Sequence, residues 1–130
     1  MKPLERIILV DDDAFTNLFN KIVLEKAKMA NDIKVFQKGQ EALDYLATGN
    51  DKVNLILLDI NMPIMDGWQF LEEFDKLDAS IKESVIVMLT SSISYHDQQR
   101  AEGIPYIKKF ITKPFSPETI QQIKEFFLIL

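Results

Sequence analysis

Leu55-Ile56-Leu57-Leu58-Asp59-Ile60-Asn61-Met62-Pro63-Ile64-Met65-Asp66-Gly67 runs four apolar residues straight into a carboxylate, with Pro63 and Gly67 following as turn residues. Four apolar residues are too few for a helix, so the stretch reads as a buried strand ending at Asp59. That puts Asp59 at the carboxyl edge of a sheet. In open α/β sheets ligands bind in the crevice outside those strand ends, which makes a carboxylate there a better functional candidate than one on a helix face. Aspartate is also a favoured turn residue, so the other segments must separate the two readings.

Working outward, residues 5–10 form a second apolar, β-branched run that stops at Asp11-Asp12-Asp13. Phe15, Leu18, Phe19, Ile22, Val23 and Ala27 then recur at three-and-four spacing, predicting a helix over 14–28 with Asp13 as N-cap and those residues facing the core. Residues 33–37 predict a short strand broken at Gly39, followed by a helix carrying Ala42, Leu43 and Leu46 that Gly49-Asn50 closes. Beyond Asp59, with Asp66 as a cap, the pattern predicts a helix over 67–77 that buries Phe70, Leu71, Phe74 and Leu77. Residues 85–89 predict a buried strand with Thr90-Ser91-Ser92 at its carboxyl end.

The stretch 94–102 has almost no apolar stripe and predicts a loosely held helix. A strand over 110–112 follows. Ser116 as N-cap and Pro117 at the first helical position open a last helix with Ile120, Ile123, Phe127 and Leu130 on its core face. Five alternations of strand and helix imply a doubly wound α/β sandwich: a parallel sheet covered on both faces by right-handed crossovers. Periodicity leaves the strand order open.

The length of 130 residues fits one domain over 1–130. A net charge of −5 argues against direct nucleic-acid binding, which needs a basic surface. Without cysteine there is neither a disulfide nor a thiolate to invoke, and the apolar run near the N-terminus is too short for a signal sequence or membrane insertion. A cytoplasmic protein is the default expectation.

In such a sheet all carboxyl ends share one edge, so Asp11, Asp12, Asp59, Thr90 and Lys113 should converge although they are scattered along the chain. Two carboxylates repel by about 4 kcal/mol at a separation of about 4 Å and an effective dielectric of about 20, so the cluster needs compensation. A divalent cation supplies it, and all-oxygen ligands suit Mg²⁺ or Mn²⁺ rather than Zn²⁺. Asp12 and Asp59 would bind directly, Asp11 through water, and the Asn61 carbonyl would complete the set. Lys113 adds a permanent counter-charge able to follow a phosphoryl oxygen. Taken singly, each residue has a plain alternative: acidic pairs cap helices, lysines are solvated and threonines end strands.

Val10-Asp11-Asp12-Asp13, Leu58-Asp59 through Asp66-Gly67, Leu89-Thr90-Ser91 and Thr112-Lys113-Pro114-Phe115 together resemble the receiver domains of two-component response regulators. The resemblance implies a flavodoxin-like sheet in order 2-1-3-4-5. It also implies that Asp59 takes a phosphoryl group, with Mg²⁺, from a sensor histidine kinase or phosphotransfer protein. By the same likeness Asp11 and Asp12 are the metal-binding acidic pair and Asn61 the backbone-carbonyl ligand. Thr90 and Ser91 stand at the switch and phosphate-contact positions, Lys113 is the phosphate-contacting lysine, and the Lys113-Pro114 bond is cis. Phe110 stands at the switch aromatic position but has no hydroxyl. Output is expected on the surface of the fourth helix, fifth strand and fifth helix, toward an unidentified protein effector, with no output domain in the chain.

The approach Gly103-Ile104-Pro105-Tyr106-Ile107-Lys108-Lys109 is longer than is usual in receivers and predicts a short fourth helix with an extended loop. His96 reads as solvated and Trp68 as packing, while Phe126-Phe127-Leu128-Ile129-Leu130 combines core contact with a share of docking surface. Two other classes stand beside this reading. One is a Mg²⁺-dependent phosphohydrolase with an aspartyl-phosphate intermediate, which would want an aspartate where Asn61 stands. The other is a structural module with a vestigial site.

Overall fold

The computed structural model describes residues 2–129. Five strands, β1 (Leu4–Val10), β2 (Ala30–Phe36), β3 (Leu55–Asp59), β4 (Val85–Thr90) and β5 (Ile107–Thr112), alternate with five helices, α1 (Ala14–Lys26), α2 (Gly39–Ala47), α3 (Gly67–Phe74), α4 (Tyr95–Ala101) and α5 (Pro117–Ile129). All pairings are parallel and the strand order is β2-β1-β3-β4-β5, the flavodoxin-like arrangement. The register sets Val10 beside Leu58, Asp59 beside Leu89 and Thr90 beside Thr112, so the carboxyl ends finish level at one edge. Among the described residues no helix is long and apolar enough to cross a membrane.

Side chains of successive strand residues point to opposite faces, and this period of two divides the core. Ile8, Val10, Ile56, Leu58, Ile86 and Met88 pack with Ala42 and Leu43 of α2 and with Phe70 and Phe74 of α3. Ile7, Leu9, Leu55, Leu57, Val87 and Leu89 face the other way, onto Leu24 of α1 and onto Ile120 and Ile123 of α5. Strands buried on both faces read as unbroken apolar runs, which is why β1, β3 and β4 stand out in the sequence. Leu130, assigned to the core face of the last helix, lies outside the described residues.

Helix α1 corrects the periodicity reading. Phe15 is 82% exposed, Leu18 55%, Phe19 49% and Ile22 43%, whereas Asn17, Asn20 and Leu24 are buried. Both sets recur at helical spacing, but Phe15, Leu18, Phe19 and Ile22 point outward, and of the expected core face only Val23 and Ala27, both half-buried, pack on the core. The reason lies at the strand ends. The first turns of α1 cross the edge where β1 and β2 stop pairing, and the carbonyls left there require donors that asparagine supplies and phenylalanine cannot.

Element limits also move. Strand β2 begins at Ala30, its start concealed by polar Asn31-Asp32, where Asp32 pairs with Arg6 at 2.6 Å. Strand β5 begins at Ile107 rather than at residue 110; its start is concealed by Lys108, which is exposed as suits an edge strand, and by half-buried Lys109, whose ammonium lies 5.7 Å from the centre of the Phe126 ring. Helix α3 ends at Phe74, with Leu77 still packed on the core beyond it. Helix α4, capped by Ser94, has no buried residue, and the Arg100 guanidinium lies 4.8 Å from the centre of the Trp68 ring.

The orientation of α1 has a direct consequence in stability. Leu24→Ala should cost about 2–5 kcal/mol in urea unfolding, as expected of a deleted core side chain. Leu18→Ala should stay within about 0.5 kcal/mol of the parent, as for an exposed position.

Candidate phosphoryl-acceptor site

Each strand end delivers one element of the site. The Asp13 carboxylate caps α1 by accepting from the Phe15 and Thr16 backbone N–H groups, and the Asp13 N–H donates to Asp11 Oδ1 at 2.9 Å. The turn after β1 thus holds Asp11 inward, buried, and leaves Asp12 exposed at the mouth. Asp59, the last residue of β3, is buried beside it. Lys113 reaches over from the end of β5, donating to Asp11 Oδ2 at 2.6 Å and standing 3.1 Å from Asp59 Oδ1. One carboxylate oxygen from each of Asp11, Asp12 and Asp59 lies within 4.8 Å of the others.

Three carboxylates against one ammonium leave two negative charges uncompensated when all are ionised. Burial, reinforced by repulsion from Asp11, pushes the Asp59 carboxyl up to about 6, against the attraction and hydrogen bond of Lys113 and the Asn61 N–H. Burial works against the Lys113 ammonium, but its contacts with Asp11 and Asp59 outweigh that and hold its pKa above the ordinary value. An all-oxygen group with this excess charge and one exposed member fits a hard divalent cation with part of its water shell kept, as Mg²⁺ prefers.

Thr90 is buried at the end of β4. Its hydroxyl donates to the Ser92 carbonyl at 2.8 Å, and the Ser92 N–H returns to Thr90 Oγ1 at 3.3 Å. The Thr90 carbonyl accepts from the Lys113 N–H at 2.8 Å, tying the two strand ends together. Ser91 is exposed in the following turn, and Asn61 is exposed in the turn after β3. Phe110 is half-buried with its ring centre 6.5 Å from that of Trp68, and the Lys113–Pro114 peptide is cis. His96 is exposed on α4.

Two features of this edge go beyond what the sequence motifs convey, the first being why the turn residue at position 67 is glycine. A Cβ on Gly67 would sit 2.8 Å from the Asp59 carbonyl and 2.9 Å from Ile60 Cα, so glycine lets α3 start directly against the end of β3. The second is a pair of carboxamides: Asn17 Nδ2 donates to the Asp11 carbonyl at 2.8 Å and Gln37 Nε2 to the Asp12 carbonyl at 3.2 Å. An asparagine inside a helix, where its propensity is poor, was the available signal for Asn17. Ile64 stands out in the same loop, with a φ of 68° and a side chain 96% exposed. Isoleucine rarely adopts that left-handed conformation.

Because the folded chain holds the Asp59 proton more tightly than the unfolded chain, Asp59 favours folding at low pH, and this contribution disappears as pH rises through about 6. In chelator, Asp59→Asn should therefore be more stable than the parent at about pH 8 by roughly 1–3 kcal/mol. The gap should close toward about pH 4, as read by urea unfolding at each pH.

Comparison with known proteins agrees with this architecture. The model of the response regulator receiver domain matches residues 7–125. The probable methanogenesis regulatory protein FilR2 of Methanothrix harundinacea is 29% identical, with 94% of this chain and 83% of that protein covered. A CheY-like response regulator receiver domain protein from Methanospirillum hungatei superposes with a TM-score of 0.73 at 32% identity, covering 95% of this chain and 93% of that one. A two component response regulator from Cytophaga hutchinsonii shares the fold with a TM-score of 0.87 at 24% identity, covering 98% and 99%. With these motifs and this strand order, the chain belongs to the response regulator receiver domain family.

Proposed function

We propose that Asp59 is the residue through which this receiver domain works as a phosphorylation-dependent switch. The observation that carries the reading is the contact of a buried Asp59 with Lys113 at 3.1 Å, beside oxygens of Asp11 and Asp12. In the step, an Asp59 carboxylate oxygen attacks the phosphorus of a phosphohistidine. The O–P bond forms as the P–N bond breaks, and the departing imidazole nitrogen takes up a proton. A carboxylate is a weak nucleophile, and phosphoryl transfer depends chiefly on positioning and charge neutralisation. Lys113 meets the incoming phosphoryl oxygens, and the β1 and β3 ends fix the carboxylates. Asp11, Asp12, Asp59 and the Asn61 carbonyl would hold Mg²⁺, or Mn²⁺, which when bound neutralises charge on the transferring group.

The same geometry supports a route for the signal. An acyl phosphate adds a charge of about −1.5 to −2 and new acceptor oxygens at Asp59. Thr90 then has a second acceptor to choose over the Ser92 carbonyl. Releasing Ser92 loosens the turn that leads to Ser94, the cap of α4. With no buried residue, α4 yields readily, and Phe110 is free to repack against Trp68 by shape alone. The output surface is that of α4, β5 and α5, facing a protein effector. Receiver domains are signalling modules rather than turnover enzymes, and phosphoryl uptake and loss by hydrolysis here are self-catalysed.

The donor is a sensor histidine kinase or phosphotransfer protein. Phe15 and Phe19 of α1 line a cleft with Lys113 and Pro114, so the exposed apolar face borders the site that a donor must cover. Phe15→Ser should slow uptake from a phosphorylated histidine phosphotransfer domain at least about tenfold while leaving uptake from acetyl phosphate unchanged, followed by phosphoprotein gel electrophoresis.

For the acceptor itself, beryllofluoride with Mg²⁺ should shift amide resonances of Thr90 and α4 in the parent protein and leave Asp59→Asn unmoved. A response in both proteins, or in neither, would count against Asp59 as the switch.

A further inference from the structure

We infer that Asn17, assisted by Gln37, is a positioning residue that fixes the backbone of the acidic pair and so sets its affinity for a divalent cation; this rests on the reading of Asp11 and Asp12 as cation ligands. Asp11 lies one residue beyond Val10 and Phe36, the last paired positions of β1 and β2. Its N–H still donates to the Phe36 carbonyl at 3.1 Å, but its own carbonyl has passed the end of the ladder. Asn17 closes that gap. Its Nδ2 donates both to the Asp11 carbonyl at 2.8 Å and to the Phe36 carbonyl at 3.3 Å. One carbonyl of β2 thereby joins the two ends of the Asp11 residue through a helix side chain.

The orientation of the amide is fixed by chemistry, since both neighbours are acceptors and a flipped Oδ1 would face two carbonyl oxygens. Asn17 is 2% exposed, and among the described residues its Oδ1 has no partner. An orphaned acceptor is unfavourable in a core, and asparagine is a poor interior helix residue. The side chain therefore serves its neighbours through the donor half alone. Gln37 repeats the device one residue on, with Nε2 on the Asp12 carbonyl at 3.2 Å.

What the two carboxamides hold is the part of the site with least support of its own. The Asp11 carboxylate is tied by Lys113 and the Asp13 N–H. The Asp12 carboxylate is exposed and, among the described residues, accepts no hydrogen bond, although its oxygen must approach those of Asp11 and Asp59 to ligate. Only the peptides on either side of Asp12 direct it there. Fixing them in advance removes ordering that cation binding would otherwise require, and loss of such supporting bonds typically weakens metal affinity by about 10–100-fold.

The test is Mg²⁺ titration of the full chain, followed by the amide resonances of residues 12, 13 and 59, with melting temperature measured separately in chelator. Asn17→Leu, which keeps the branching of the side chain but not the donor, should bind Mg²⁺ at least about tenfold more weakly. Gln37→Met, at an exposed position where folding is not at stake, should bind about threefold more weakly with an unchanged melting temperature. If Asn17 serves only folding, the melting temperature falls while affinity stays at the parent value, and the inference is overturned. If Asn17→Leu does not fold, Gln37→Met decides alone, and parental affinity in it overturns the inference. A parent protein that takes up no Mg²⁺ overturns the cation-site reading itself, an outcome distinguishable from equal binding by parent and variants.

Discussion

Negative charge concentrated at one edge of the sheet is the constraint to which the rest of the molecule responds. Asp11 directly follows β1 and Asp59 ends the neighbouring parallel strand β3, so the backbone ladder, with Val10 beside Leu58, brings them together. Lys113 answers from the end of β5 with contacts of 2.6 and 3.1 Å, and its flexible stem allows one ammonium to serve both. That balance is incomplete. The Asp59 carboxyl, pushed up to about 6, records how strongly burial and Asp11 oppose its ionisation. A site so arranged gains from a divalent cation, and again from reorganising when phosphoryl oxygens arrive.

The scaffold around this edge is uneven in firmness, and the unevenness suits a switch. Strands β1, β3 and β4 are buried on both faces, so the carboxylates and Thr90 stand on elements that move little. Helix α4 has no buried side chain and leans on Trp68 through Arg100. A small change at Thr90 therefore meets a rigid wall on one side and a lightly held helix on the other. In the proposed switch, motion would take the second course. Phe110 and Trp68 lie between the two, joined by packing rather than by a phenolic hydrogen bond.

Much of this was legible in the chain. A strand buried on both faces announces itself as an apolar run, and a carboxylate at the end of such a run is conspicuous; Asp11, Asp12 and Asp59 were found that way. Strand order was not legible from periodicity, because adjacency in a sheet is set by crossovers that leave no local trace, and only the likeness of the motifs supplied it. Helix α1 misled for a definite reason: periodicity assumes that the core side of a helix is its apolar side. Here backbone carbonyls at the ends of β1 and β2 call for donors, and Phe15, Leu18, Phe19 and Ile22 face outward while Val23 and Ala27 keep to the core. Asn17 and Gln37 were invisible for the related reason that their partners are main-chain atoms, which no side-chain pattern encodes. The edge strands β2 and β5 were shortened by their polar residues, since half-exposed strands lack the signal of buried ones.

Ile64 leaves one consequence to draw. A β-branched residue held at a φ of 68° with its side chain in solvent contributes little packing to offset its backbone strain. Glycine or asparagine would occupy the position more comfortably, so the chain carries a local reserve of thermostability it has not taken up. An engineer raising the heat tolerance of this fold would find that reserve on the lip of the acidic pocket. The same exchange would soften the segment that carries Asn61, trading endurance against the fidelity of the main-chain carbonyl proposed as a cation ligand.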